Sequence, residues 1–118
     1  MAHIDDWIRE RRELNEGVLA QDHLGIMRFF NLDEAAYRDG ALPAKTKEMC
    51  GLVASLVLRC NDCVDYHIVQ CVKAGFSEAE VVDGLNVGLL VGGSIVIPHL
   101  RHAVKTLEEL RGRTDISL

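Results

Sequence analysis

The chain has 118 residues, 48 % of them apolar, and 18 acids against 13 Lys and Arg give a formal charge of −5. That length suits one domain (1–118) with a core of its own, and the acidic balance argues against nucleic acid or an anionic membrane surface as a partner. Met1 to Arg12 is charged and holds no secretory h-region, and the longest apolar run, Val87 to Pro98, contains three glycines and is too short to span a bilayer. A cytoplasmic protein without a membrane segment is therefore expected.

In chain order the sequence reads as helix after helix. Asp5 or Asp6 suits the cap of a first helix carrying Ile4, Trp7, Ile8 and Leu14, so an N-terminal unit of 1–17 ends at Gly17. Asp22 to Phe30 is weakly helical. Asn31 and Glu34 have capping-box spacing and predict a short helix to Tyr37, stopped by Gly40. Pro43 fits the first turn of a long helix to about Arg59, with an apolar stripe through Met49, Leu52, Val53, Leu56 and Val57. Asn61 or Asp62 caps the next helix, which runs to about Ala74 with Gly75 as its stop.

Ser77 and Glu80 repeat the capping-box spacing and open a helix that ends at Gly92-Gly93. A last helix begins near Ser94 or Pro98 and carries Leu100, Val104, Leu107 and Leu110; the tail 113–118 reads as frayed. No stretch alternates with period two between turns, although Ile95-Val96-Ile97 is a short β-branched run. The expected fold is all-α, a bundle of about six helices without repeat or linker.

The chemistry concentrates in Cys60-Asn61-Asp62-Cys63-Val64-Asp65-Tyr66-His67. Two thiols at a helix N-terminus meet unpaired backbone N–H groups and the positive end of the dipole, which favour thiolate. His67 follows Cys63 by four residues, so both lie on one helix face. In a reducing compartment a CxxC serves catalysis or metal binding more than structure. A thioredoxin-type motif needs a preceding strand, and none is visible.

Cys60, Cys63, His67 and Cys71 also spell a zinc-knuckle-like pattern. Geometry weighs against it, because a continuous helix separates Cys63 from Cys71 by about 12 Å along its axis. A set of Cys60, Cys63 and His67 with Glu48 is the remaining metal option, and no metal or cofactor is expected.

Glu48 stands at the edge of an apolar stripe, four and eight residues before Leu52 and Leu56. It is either a boundary acid paired with Lys45 or Lys47, or a partly buried carboxylate placed to exchange protons with the imidazole of the next helix. Cys50 and Cys71, on apolar faces, read as small hydrophobes. His3 and His23 read as surface residues, and Tyr66 as pocket or core.

Glu48, eleven intervening residues, then Cys60-x-x-Cys63-x-x-x-His67 resembles the active-site pattern of the alkylhydroperoxidase D-like family, within the carboxymuconolactone decarboxylase superfamily. The flanks Leu42-Pro43-x-Lys45-x-Lys47 and Gly92-Gly93-Ser94 agree, and the resemblance covers roughly 29–110, in a short, single-unit form. It implies an all-helical subunit that forms a homo-oligomer, commonly a trimer or hexamer. It also implies thiol peroxidase or disulfide reductase activity, with a hydroperoxide or disulfide substrate and a dithiol electron donor, lipoyl or thioredoxin-like. Carried over, Cys63 attacks the hydroperoxide, Cys60 donates a proton and closes the disulfide, and His67 with Glu48 forms the relay. Thioredoxin-like reasoning would instead make Cys60 the attacking thiol.

One position departs from the best-known members, which carry a histidine before the second cysteine. Here it is Asp62, whose carboxylate raises the pKa of the neighbouring thiol. Two other readings stand beside the peroxidase. A decarboxylase-type lyase acting on a lactone dicarboxylate would need a basic cluster such as His99, Arg101 and His102, which otherwise read as surface or interface residues of an amphipathic helix. A non-catalytic redox or metal-binding protein would carry an inert CxxC.

Overall fold

A computed structural model describes residues 2–118; Met1, the first residue of the expected 1–17 unit, lies outside them. The described residues form six α-helices and no strand: α1 His3–Leu19, α2 Leu24–Ala36, α3 Ala44–Val57, α4 Asn61–Lys73, α5 Glu78–Gly92 and α6 Ile97–Glu109. The β-branched run Ile95-Val96-Ile97 is not extended. Ser94–Val96 makes one 3₁₀ turn that leads into α6, with Pro98 in its first turn, where the missing N–H costs nothing.

The core forms where the apolar stripes of α3 to α6 converge. Leu52 and Leu56 of α3 meet Val64 and Ile68 of α4, Val81 and Leu85 of α5 and Leu107 of α6, all buried. α3 packs most extensively, against both α4 and α5, while α4 and α5 share α6. Gly88 lets α5 approach α3, for a Cβ there would lie 3.0 Å from Leu56 Cδ2. Ile4 brings α1 into the same core.

Three local expectations are corrected. The two expected pieces between Asp22 and Tyr37 are one helix, Leu24–Ala36, because no breaker separates Leu24–Phe30 from Asn31, and His23 already caps it: His23 Nδ1 accepts from the Gly25 and Ile26 amides. Neither Asp5 nor Asp6 caps α1. The N-cap is Ala2, and both aspartates fall in the first turn beside the positive end of the dipole. Cys60 rather than Asn61 or Asp62 is the N-cap of α4, so the two polar residues enter the helix.

The capping box of α5 is present in both directions, Ser77 Oγ accepting from the Glu80 amide and Glu80 Oε1 from the Ser77 amide. The tail 113–118 has no regular structure, yet it is tied down. Arg113 bridges Asp5 and Asp115, Arg12 donates to the Ser117 carbonyl at 3.0 Å, and Ile116 and Leu118 pack on the core.

Candidate functional site

The α3–α4 turn builds the site. Cys60 is half-buried, Cys63 is exposed, and the two are joined as a disulfide with Cα atoms 5.3 Å apart. Cys60 Sγ accepts the Cys63 amide at 3.3 Å, so the first sulfur occupies the capping position at the positive end of α4. The two intervening residues are held from opposite sides. Asp62 accepts the Trp7 indole N–H from α1 at 2.7 Å, and Asn61 Oδ1 lies 2.8 Å from His99 Nδ1 of α6. The carboxylate expected to disfavour thiolate therefore has a donor of its own.

Two turns into α4, His67 is buried against α3. Its Nδ1 lies 2.9 Å from Glu48 Oε2, and Glu48 is buried as well, at 8 % exposure. The core-facing reading of Glu48 is the one found; Lys47 turns the other way and donates to the Ala36 and Arg38 carbonyls. A carboxylate at Nδ1 takes that N–H, which leaves Nε2 as the acceptor. The Tyr37 hydroxyl, from the end of α2, donates to Nε2 at 3.4 Å. Burial, then the nearby Glu48 carboxylate, pushes the Tyr37 phenol above its ordinary value, which keeps that donor protonated. Tyr66 packs edge-on against the imidazole, with Arg11 over its own ring at 4.7 Å.

Tyr37 and Gly51 were not legible as site residues. A Cβ on Gly51 would stand 2.5 Å from His67 Cε1 and 2.8 Å from the Tyr37 oxygen. The only hint was a glycine inside an apolar helical stripe, which costs about 1 kcal/mol relative to alanine and wants a packing reason. Beside Glu48, Tyr37 and Tyr66 opens a cleft of about 580 Å³, with Phe30 and Met27 on its α2 wall.

The remaining candidates separate. Cys71 is buried in the core, where burial pushes its thiol up to about 12, so it is no thiolate at neutral pH. With Cys60 and Cys63 joined to each other and His67 turned to Glu48, the zinc-knuckle-like residues do not converge. Cys50 is exposed, contrary to its reading as a buried hydrophobe, and lines an open groove with Val53, Val57 and Val91. His99 faces Asn61 and His102 faces Asp65, while Arg101 is exposed, so no shared carboxylate cradle forms. His3 is not a free surface residue: it contacts Glu109 and Asp65.

Comparison with known proteins bears on the fold and the family. Two crystal structures from Thermotoga maritima match with TM-scores of 0.87 and 0.85, at 59 % and 58 % identity. The first covers 90 % of this chain and 93 % of that one, the second 90 % of each. The second is described as a carboxymuconolactone decarboxylase family protein proposed to be involved in antioxidative response. A family protein from Legionella pneumophila shares the fold, with a TM-score of 0.83 at 22 % identity over 91 % of this chain and 96 % of that one. An uncharacterized protein of Cupriavidus necator is 29 % identical over 77 % of this chain and 79 % of its own length. The model of the carboxymuconolactone decarboxylase family matches residues 27–106, from the α2 wall of the cleft to α6, and the chain belongs to that family.

Proposed function

We propose that the protein is a thiol-dependent antioxidant peroxidase, reducing hydroperoxides or related disulfides through Cys60 and Cys63. The observation that carries this reading is a closable dithiol at the positive end of α4, one helical turn from a buried Glu48–His67 pair. The exposed Cys63 attacks the terminal peroxide oxygen as a thiolate. The O–O bond breaks, Cys63 becomes a sulfenic acid, and the departing alkoxide takes a proton supplied through Cys60 and His67. Cys60 then attacks the sulfenic sulfur and expels water, closing the disulfide. A dithiol donor, a lipoyl group or a thioredoxin-like protein, returns two electrons and two protons and leaves as its own disulfide.

His67, oriented by Glu48, serves as the proton carrier, and Tyr37 holds the ring. The relative from Thermotoga proposed to be involved in antioxidative response supports the same reading. A cytoplasmic setting, where reduced dithiols are supplied, and assembly into a trimer or hexamer belong to the proposal.

The test is the rate of peroxide-driven closure of the reduced protein, with the thiol pKa of Cys63 and Cys60 measured by alkylation in single-cysteine variants. Cys63→Ser abolishes peroxide consumption, whereas Cys60→Ser stops at a sulfenic acid. His67→Ala and Glu48→Gln each slow closure by about 10²-fold, the lower range for a lost acid–base group. A reduced protein that ignores hydroperoxides, or a closure rate indifferent to His67→Ala, removes the peroxidase and turns attention to lactone decarboxylation or a non-catalytic redox role.

A further inference from the structure

On the far side of α4 from the Glu48–His67 pair lies a second polar cluster that the peroxidase does not use. Asp65 is buried, with 3 % of its side chain exposed. Thr106 Oγ1 donates to Oδ1 at 2.5 Å, and His102 Nε2 lies 3.0 and 2.9 Å from the two oxygens. From α1, His3 Nε2 stands 3.5 Å from Asp65 Oδ2. On its other edge His3 Nδ1 lies 2.9 and 3.1 Å from the two Glu109 oxygens, and Glu109 Oε1 also accepts the Ile4 amide.

The bonding of His3 is the informative part. Glu109 has only acceptors, so Nδ1 must carry the N–H, and neutral imidazole then has its lone pair on Nε2. That nitrogen is buried, has no hydrogen-bond partner, and points at a carboxylate oxygen. Two electron-rich atoms do not face each other at that distance without a cation between them. Glu109 is fixed behind the imidazole by its contacts with His3 Nδ1 and the Ile4 amide. A carboxylate behind a histidine fixes the tautomer and raises the basicity of the far nitrogen, which is the support found around metal-bound histidines.

We infer that His3 Nε2, His102 Nε2 and the Asp65 carboxylate form a binding site for a divalent first-row transition ion of the zinc class. The three donor atoms lie within 4.8 Å of one another. Ligands about 2.1 Å from zinc are about 3.4 Å apart when tetrahedral, so side-chain movement on the order of 1 Å closes the set. The donors are two imidazoles and one carboxylate, with a fourth position left open, and the borderline-soft ions select such sets over magnesium or calcium. On binding, the proton on His102 Nε2 moves to Nδ1 or to solvent, and Thr106 keeps its bond to Asp65. The ligands come from α1, α4 and α6, so the ion fastens the N-terminal helix across the helix that carries the dithiol.

The test uses the full chain without a histidine tag, with Cys60–Cys63 closed and Cys50→Ser in place, so that no exposed thiol competes. Cobalt(II) is followed by its ligand-field absorption and zinc(II) by calorimetry and thermal midpoint. The expected result is a single ion per chain and a midpoint that climbs with ion concentration. His3→Gln and His102→Gln each lower affinity by about 100-fold or more, and Glu109→Gln by about 10- to 100-fold, as loss of an outer carboxylate does. Each variant is checked for unchanged helicity and unchanged disulfide closure, a readout that also keeps this site distinct from the peroxidase reading. No uptake at millimolar ion, with an imidazolium signature for His3 in nitrogen NMR, overturns the site in favour of a proton in the gap. Stoichiometric uptake that survives His3→Gln overturns it as well.

Discussion

Gly51 is the side-chain vacancy against which the His67 ring rests, and its replacement separates helix propensity from site geometry. Alanine is favoured over glycine inside a helix by about 1 kcal/mol, so at a free position Gly51→Ala would stabilise α3. Here the added methyl meets His67 Cε1, His67 Nε2 and the Tyr37 oxygen at once. The imidazole is tied to Glu48 and has no slack. Gly51→Ala is therefore expected to lower the thermal midpoint, with an overpacking cost of about 1–3 kcal/mol, and to slow peroxide-driven disulfide closure. A variant as fast and as stable as the parent would show that the ring position is immaterial. At this scale Glu48, Cys60, Cys63 and His67 were legible, because their relations run along one helix or one helical hairpin at fixed spacing. Tyr37, Gly51 and His3 were not, since what gives each its role lies far off in sequence: thirty residues separate Tyr37 from His67 and 106 separate His3 from Glu109.

The helix ends show the same division between local and distant causes. α3 and α4 both end in a Schellman arrangement. The Arg59 and Cys60 amides return to the Leu56 and Ser55 carbonyls, as the Gly75 and Phe76 amides return to Val72 and Cys71. Gly75 adopts the left-handed backbone at φ 95°, but at the equivalent place before Cys60 stands Arg59, at φ 60°. A side chain there costs about 1–2 kcal/mol. Gly75→Ala should accordingly destabilise by about 1 kcal/mol, while Arg59→Gly should be neutral or stabilising by up to about 1 kcal/mol, both read from chemical unfolding. Equal effects in the two variants would mean that the turn ahead of the dithiol is unstrained. Gly75 and the Ser77–Glu80 box were readable because their bonds close within a few residues. The start of α1 was misplaced because the group that bonds the Ile4 amide is Glu109, at the other end of the chain.

For the molecule as a whole, the apolar surface left uncovered is the outstanding feature. Leu90 and Val91 are 84 % and 71 % exposed on α5, with Val87 and Ile95 near them, and α2 has no buried residue although Phe29 and Leu32 are among its side chains. Contiguous exposed apolar faces of this kind mark association surfaces. With the proposed homo-oligomer resting on the α5 face, Leu90→Glu is expected to shift the protein to monomer in light scattering while leaving helicity intact, since Leu90 takes no part in the subunit core. A parent protein that is already monomeric would remove the homo-oligomer, and an assembly untouched by the substitution would place the interface elsewhere. Leu56→Asp differs in kind: it buries an unpaired charge between α3 and α5 and should unfold the chain. Among the described residues no helix is long and apolar enough to cross a membrane.

The sequence by itself determined the helical class and the dithiol at the head of α4, its motif pointed to the family, and it left Glu48 open between a boundary acid and a partner for His67. The class and the dithiol follow from helical periodicity and helix-end geometry, which act over one or two turns and need no knowledge of the rest of the chain. Only the tertiary structure decided that Tyr37 closes on His67 over Gly51 and that His3 and the tail 113–118 are pinned across the bundle. It alone brought His3, Asp65, His102 and Glu109 into one cluster. Those outcomes depend on how α2 and α3 pack on α4 and how α1 and α6 pack across it, and contacts between helices distant in sequence leave no periodic trace in any one of them.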